Sequence, residues 1–353
     1  MRVPVSRVFV GVWLLCLVAM DGYAQGERIV WELGPTGSKA SLRGLAAVDD
    51  EVIWACGSQS TVLRSEDGGS SWVECGPDGF GDLEFRSLHA WNTQQACIAS
   101  AGTPAVLLRT EDGGEHWHEV YKADSEKAFF DGMRFWDDER GIAFSDPIDG
   151  RLLIVETLDS GRTWQATPPT EAPVAREGEA GFAASNSSMI VGPNGAVWVG
   201  TGGHVSEFSR VIQRSSFGDE WGAVPCPLVS GPAEGIFSVA RNAQSGRMVV
   251  VGGDYRLDQE SKTTGAFSDD LGKTWRLATQ PPGGYRSSVI HHPDFVEGGW
   301  VATGPAGSDF SSDGSVWEPF SDVGFHALDM GKRKIFAVGS DGRFGFLKLV
   351  DLE

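Results

Sequence analysis

Arg43, Arg86 and Arg286 recur in one local setting: an apolar or aromatic residue, then a variable one, then a small one. The triplets read Leu42-Arg43-Gly44, Phe85-Arg86-Ser87 and Tyr285-Arg286-Ser287. The same frame returns as Phe130-Asp131-Gly132, Phe182-Ala183-Ala184, Phe237-Ser238 and Phe325-His326-Ala327. A guanidinium presents a planar fork that matches carboxylates and phosphates, so three of them in equivalent slots point to anion or peptide recognition. Stretches that read as loops add Asp146, His204, Asp254 with Tyr255, and Asp309, and Tyr285 precedes Arg286. Brought to one place, Arg43, Arg86, Asp131, Asp146, His204, Asp254, Tyr255, Tyr285, Arg286, Asp309 and His326 form a candidate binding face. The same residues admit a second reading, in which Arg43 and Arg86 pair with Asp131, Asp146 or Asp309 and seal a channel.

Other chemistry is thin. No Gly-x-Gly-x-x-Gly follows a strand, and the sequence carries no phosphate loop, His-Glu-x-x-His or nucleophile elbow. No catalytic residue, metal ligand or cofactor is therefore assigned. His116 and His118 flank Trp117 at strand spacing but have no third His or Cys beside them, so they read as exposed strand residues. His291 and His292 would point to opposite faces of a strand and cannot serve one ion. With 29 Lys and Arg against 48 Asp and Glu, the net charge of −19 excludes a nucleic-acid partner. The partner expected instead is a protein or peptide, with a glycan or small anion as the alternative.

The first 24 residues read as an address. Arg2 and Arg7 precede an apolar run from Val8 to Met20, followed by small residues at Gly22 and Ala24. That is the layout of a secretory signal peptide, and the run is short for a membrane span. The expectation is an exported, periplasmic or secreted protein, monomeric, with residues 25–353 forming a single domain. Four cysteines then remain, Cys56, Cys75, Cys97 and Cys226, too few and too scattered for a disulfide scaffold.

The elements that would position the candidate face are set by a repeat. Ser/Thr-x-Asp-x-Gly-x-x-Trp occurs with Asp67 and Trp72, Asp112 and Trp117, Asp159 and Trp164, and Asp270 and Trp275. A shortened copy holds Asp313 and Trp317, and a degraded one ends at Trp221 with Phe217 in the Asp position. Successive Trp lie 45, 47, 57, 54 and 42 residues apart, the period of propeller blades. In each clasp the carboxylate should accept backbone N–H groups just beyond it, the Gly should take positive φ, and the Trp should pack between sheets.

Seven opening triplets but six clasps imply a seventh, composite blade. Arg343–Leu349 reads as its third strand and Ile29–Leu33 as its fourth, with Trp31 in the clasp position. The fold class is therefore all-β, a seven-bladed propeller closed by its N-terminal strand, which leaves no open sheet edge at the seam. In such a disc the clasps lie on one face, while the triplets and the loops between strands two and three meet on the other.

On these clasps, the Arg43-Gly44-Leu45 opening and the blade count, residues 26–353 resemble Asp-box (bacterial neuraminidase repeat) propellers of the photosystem II stability/assembly factor group. The resemblance implies a non-enzymatic exported or lumenal protein that binds folding intermediates of membrane proteins through an arginine-rich face. Some bacterial members of the group carry a loose oxidoreductase label, for which no residue here supplies a nicotinamide, flavin or quinone site. Sialidases share the clasp and are the enzymatic alternative. Arg43, Arg86 and Arg286 with Tyr255 or Tyr285 echo their arginine triad and tyrosine, but Leu42-Arg43-Gly44-Leu45 replaces their Phe-Arg-Ile-Pro opening.

Overall fold

The computed structural model describes residues 27–81, 83–203, 208–296 and 298–351, so residues 1–24, expected to be a signal peptide, and His204 lie outside the described residues. Within them, seven antiparallel sheets form the blades of a ring. Blade 1 is built from Leu42–Ala47, Ile53–Gly57, Val62–Ser65 and Val73–Glu74. The innermost strands of blades 2 to 7 are Phe85–Ala90, Phe130–Phe135, Met189–Val191, Glu234–Arg241, Ser288–His291 and Ala327–Met330. Second strands such as Ile53–Gly57 and Trp300–Gly304 are buried along their whole length. They lie between neighbouring sheets, which is why they read as continuous apolar runs rather than alternating ones. The core is accordingly split into clusters between blades, as where Trp54 and Val62 of blade 1 pack on Phe85, Leu88 and Ile98 of blade 2.

The clasps work as their composition requires. Asp67, Asp112, Asp159 and Asp270 each accept the backbone N–H four residues on, at 2.8–2.9 Å. The Ser or Thr two residues earlier bonds the same carboxylate and accepts the Gly N–H. Gly69, Gly114, Gly161 and Gly272 all have positive φ. Trp164, Trp275 and Trp317 are buried, while Trp72 and Trp117 are partly so. His116 stands where other clasps have a hydroxyl, and its Nδ1 meets Asp112 Oδ2 at 2.7 Å.

Blade 7 closes as a composite. Glu27–Pro35 pairs with Arg343–Asp351 from Glu27 opposite Asp351 to Pro35 opposite Arg343. Trp31 packs on Phe325 with ring centroids 4.7 Å apart, and its indole N–H donates to Ser308 Oγ of blade 6 at 3.0 Å. The four remaining cysteines are free thiols, three of them buried.

Two expectations are corrected. Blade 4 does not open with Phe182-Ala183-Ala184: its innermost strand starts at Met189, and the preceding segment spans the central channel. Ser185 Oγ donates to Ser287 O of blade 6, and Asn186 bonds Leu88 O of blade 2 and Met133 N of blade 3. Ser187 Oγ meets Ser238 of blade 5 and Ser288 of blade 6. These partners satisfy polar side chains that are otherwise cut off from water. Upstream, Glu179–Ala180 pairs with Gly202–Gly203, and this extends the blade 5 sheet to six strands.

The second correction is a one-residue slip in blade 6. Ser288 pairs with Thr303 just before the terminal Gly304, as Gly44 pairs with Cys56 just before Gly57. Arg286 therefore holds the buried slot of Leu42, not the outward slot of Arg43. A shift of one residue turns a strand side chain to the opposite face. Asp309, expected in a loop, lies inside the strand Gly307–Ser311 and meets Arg286 there.

Candidate functional site

The aim of the opening triplets comes from β-bulges. The register skips Arg43 between Leu42 and Gly44, Arg86 between Phe85 and Ser87, Asp131 between Phe130 and Gly132, and Phe237 between Ile236 and Ser238. A bulged residue is unpaired and its side chain is re-aimed, here toward the mouth of the ring. Gly44 is required beside Arg43, since a Cβ there would lie 2.3 Å from Cys56 Sγ.

These side chains line one cavity of about 440 Å³. It gathers Arg43, Arg86, Asp131, Asp146, Tyr255, Tyr285 and His326 from the expected face. It does not include Arg286 and Asp309, which are 3% and 0% exposed and form a closed ion pair, Nε to Oδ2 at 2.5 Å. Asp254 lies beside the cavity and is held by Arg256, whose backbone N–H donates at 2.8 Å. Because Arg286 is withdrawn, the three-arginine set suggested by the sequence is not assembled.

One wall is aromatic. Phe182 stacks on Phe237 at 3.8 Å, Phe237 meets Tyr285 edge-on at 4.7 Å, and Tyr255 stands over them half-exposed. The opposite wall is basic, but its two arginines differ. Arg86 is engaged twice, by an ion pair with Glu84 and by a bond from Nη1 to Ala183 O. Arg43 has no carboxylate partner among the described residues and makes one long bond of 3.5 Å to Ala184 O. Burial first, then repulsion from Arg86, lowers the Arg43 pKa, the mark of a cation short of counter-charge. His326 Nε2 and Ser340 Oγ are hydrogen-bonded at 2.9 Å, and burial, reinforced by Arg43 and Arg86, lowers the imidazole pKa to about 3, so it is neutral.

The floor is acidic. Asp131 is raised well above the usual carboxylate range by burial and by the Asp146 charge, with Arg86 opposing. Asp146 is raised too, chiefly by burial, against the pull of the Gly181 N–H at 2.9 Å. Gly181 is pressed onto the pair: a Cβ there would lie 2.6 Å from the Asp131 carboxyl. Sequence reasoning missed the roles of Phe182, Gly181 and Glu84. Phe182 was visible as an aromatic triplet residue, whereas the other two carry no signal apart from their neighbours in space.

The chain is thus a seven-bladed Asp-box propeller with one polar, aromatic-walled cavity at the mouth of a plugged ring. Residues 27–167, the N-terminal strand and the first three blades, match the model of the family described as Photosynthesis system II assembly factor YCF48. The ring resembles a solved YCF48 bound to D1 peptide, with 17% identity and a TM-score of 0.62 over 93% of this chain and 99% of that one. It also resembles YCF48 from Cyanidioschyzon merolae, at 16% identity and 0.62 over 90% and 98%. Virginiamycin B lyase from Staphylococcus aureus superposes as well, at 10% identity and 0.63 over 92% and 100%. No curated protein matches the chain. An assembly factor and a lyase on one frame show that the ring alone does not set function, so the cavity must carry the argument.

Proposed function

We propose that the protein is an exported, non-enzymatic module that holds a segment of a partner protein at the mouth of the ring. An anionic group of the partner seats on Arg43, and an apolar or aromatic side chain lies against Phe237 and Tyr255. The carrying observation is Arg43, a largely enclosed guanidinium without an ion-pair partner among the described residues, in a protein whose net charge is −19. Holding such a cation is costly unless a ligand completes it, and Arg beside aromatic side chains is a usual anchor pair at interfaces. The similar solved YCF48 with its D1 peptide supports a peptide as the occupant. The apolar run Val8–Met20 behind Arg2 and Arg7 supports export.

The test is retention of a native partner by the purified protein and by Arg43→Ala. A partner recovered by the wild type and reduced at least about tenfold by the substitution is expected. Equal recovery would overturn the reading, as would turnover of a sialoside that Arg43→Ala abolishes. Export is checked by the N-terminal mass of the mature chain, expected to begin at Gln25.

A further inference from the structure

Two carboxyl groups meet at the floor of the cavity. Asp131 is 1% exposed, and neither of its oxygens has a hydrogen-bond partner of good geometry. It abuts Asp146, one oxygen of which already accepts the Gly181 N–H. Two ionised carboxylates are acceptors only and repel, so contact between them inside a protein calls for one shared proton. That proton lies between the two carboxyls, so the pair carries one negative charge and has no O–H left for a ligand.

The groups that face this pair come from several blades. Blade 1 supplies Arg43, blade 2 the Arg86–Glu84 ion pair, blade 5 Tyr255, blade 6 Tyr285, and blade 7 the neutral His326 with Arg343 behind it. The plug adds the Ala183 and Ala184 carbonyls, both taken by the arginines. Arg86 is neutralised by Glu84, so the charge left in the cavity is Arg43 against the acid pair. Holding one proton, the pair carries a single negative charge, and among the described residues it makes no ion pair with Arg43. Losing it, the pair outweighs Arg43 and the floor repels an incoming anion.

We propose that the proton shared by Asp131 and Asp146 keeps the floor of the cavity at a single negative charge, so that capture of a partner carboxylate by Arg43 is coupled to that proton. This rests on the reading of the cavity as the binding site and names the chemistry it accepts. An amide in place of the carboxylate lacks the charge that Arg43 needs. A deprotonated floor places anion against anion.

The experiment uses the full chain with ¹³C-carboxyl-labelled aspartate, and two capped peptides, Ala-Phe-Glu-Ala and its Gln counterpart. One carboxyl resonance titrating well above those of the clasp aspartates is expected, absent in Asp131→Asn. Binding of the Glu peptide should be lost on Arg43→Ala and weaken about tenfold per pH unit above that titration. Asp131→Asn leaves the floor with at most the single charge of Asp146 and should bind without that pH dependence. The Gln peptide should bind at least tenfold more weakly at pH 5. If both carboxyls titrate in the ordinary aspartate range, or if Arg43-dependent binding is flat with pH in the wild type, the proton coupling is overturned while the site stands. If the Glu peptide binds at no pH, the site and the coupling fall together. Thermal melts of Asp131→Asn establish that the variant is folded.

Discussion

The rim of the disc and the mouth of the ring use aspartate in opposite ways. At the rim, Asp67, Asp112, Asp159 and Asp270 are ringed by backbone N–H groups and hydroxyls and are held below the usual carboxylate range. At the mouth, Asp131 and Asp146 are short of donors and held above it. The rim carboxylates close turns and leave nothing for a ligand. The floor carboxylates are incomplete, as is Arg43 above them. The lesson is that a functional site is marked less by which polar residues it contains than by which of their hydrogen bonds are left unmade.

That contrast can be attacked at its strongest point first. Removing residues 27–35 deletes the composite blade's outer strand and should cost roughly 5 kcal/mol or more, from nine ladder residues and the packing of Trp31. Loss of a single cooperative transition in denaturant is the expected result, and an unchanged midpoint would break the account of closure. Next, Asp309→Ala should cost about 3–5 kcal/mol because it strands Arg286 in the core. Arg286→Met with Asp309→Leu should return close to wild-type stability. That recovery would confirm that this pair, unlike Arg43, is complete without a ligand.

At the rim, Asp159→Ala should cost about 1–2 kcal/mol, from bonds to the Thr163 backbone and to two hydroxyls. It should leave partner affinity unchanged. Arg43→Met should do the reverse, abolishing binding while raising the melting temperature by a few degrees. The smallest effect is in pH. The clasp aspartates are lowered, so their contribution is present above pH 4 and is lost as pH falls through about 2 for Asp112 and Asp270. The floor pair is raised, so its sign is opposite: stability falls as pH rises from 4 toward the pair's own titration. Melting curves of Asp131→Asn against wild type should coincide below pH 4 and diverge above it, with the variant the more stable.

The rim was nearly all legible in the sequence. Clasp spacing marked six blades, and Trp31 marked the composite seventh because closure leaves a signature residue at a known register. The mouth was legible only in part. Arg43, Arg86, Asp131 and His326 were found because they repeat a frame, but the frame says nothing of one-residue slips, and so Arg286 was misplaced. Phe182-Ala183-Ala184 imitates an opening strand, yet the Ser185-Asn186-Ser187-Ser188 run after it is too polar to sit in a buried sheet and spans the channel instead. The isolation of Arg43 and the contact of Asp131 with Asp146 depend on distances between blades, which no local pattern encodes.

The seam of the ring also governs when the molecule can become whole. Trp31 meets Leu347, a separation of 316 residues, and no nearer segment can take its place. A ribosome releases the first strand long before the last one exists, so the newborn chain carries an unmated edge for the entire time of its synthesis. Completion is thus a single late event, and a chain cut before Arg343 would stay open, with Glu27–Pro35 lacking its partner strand.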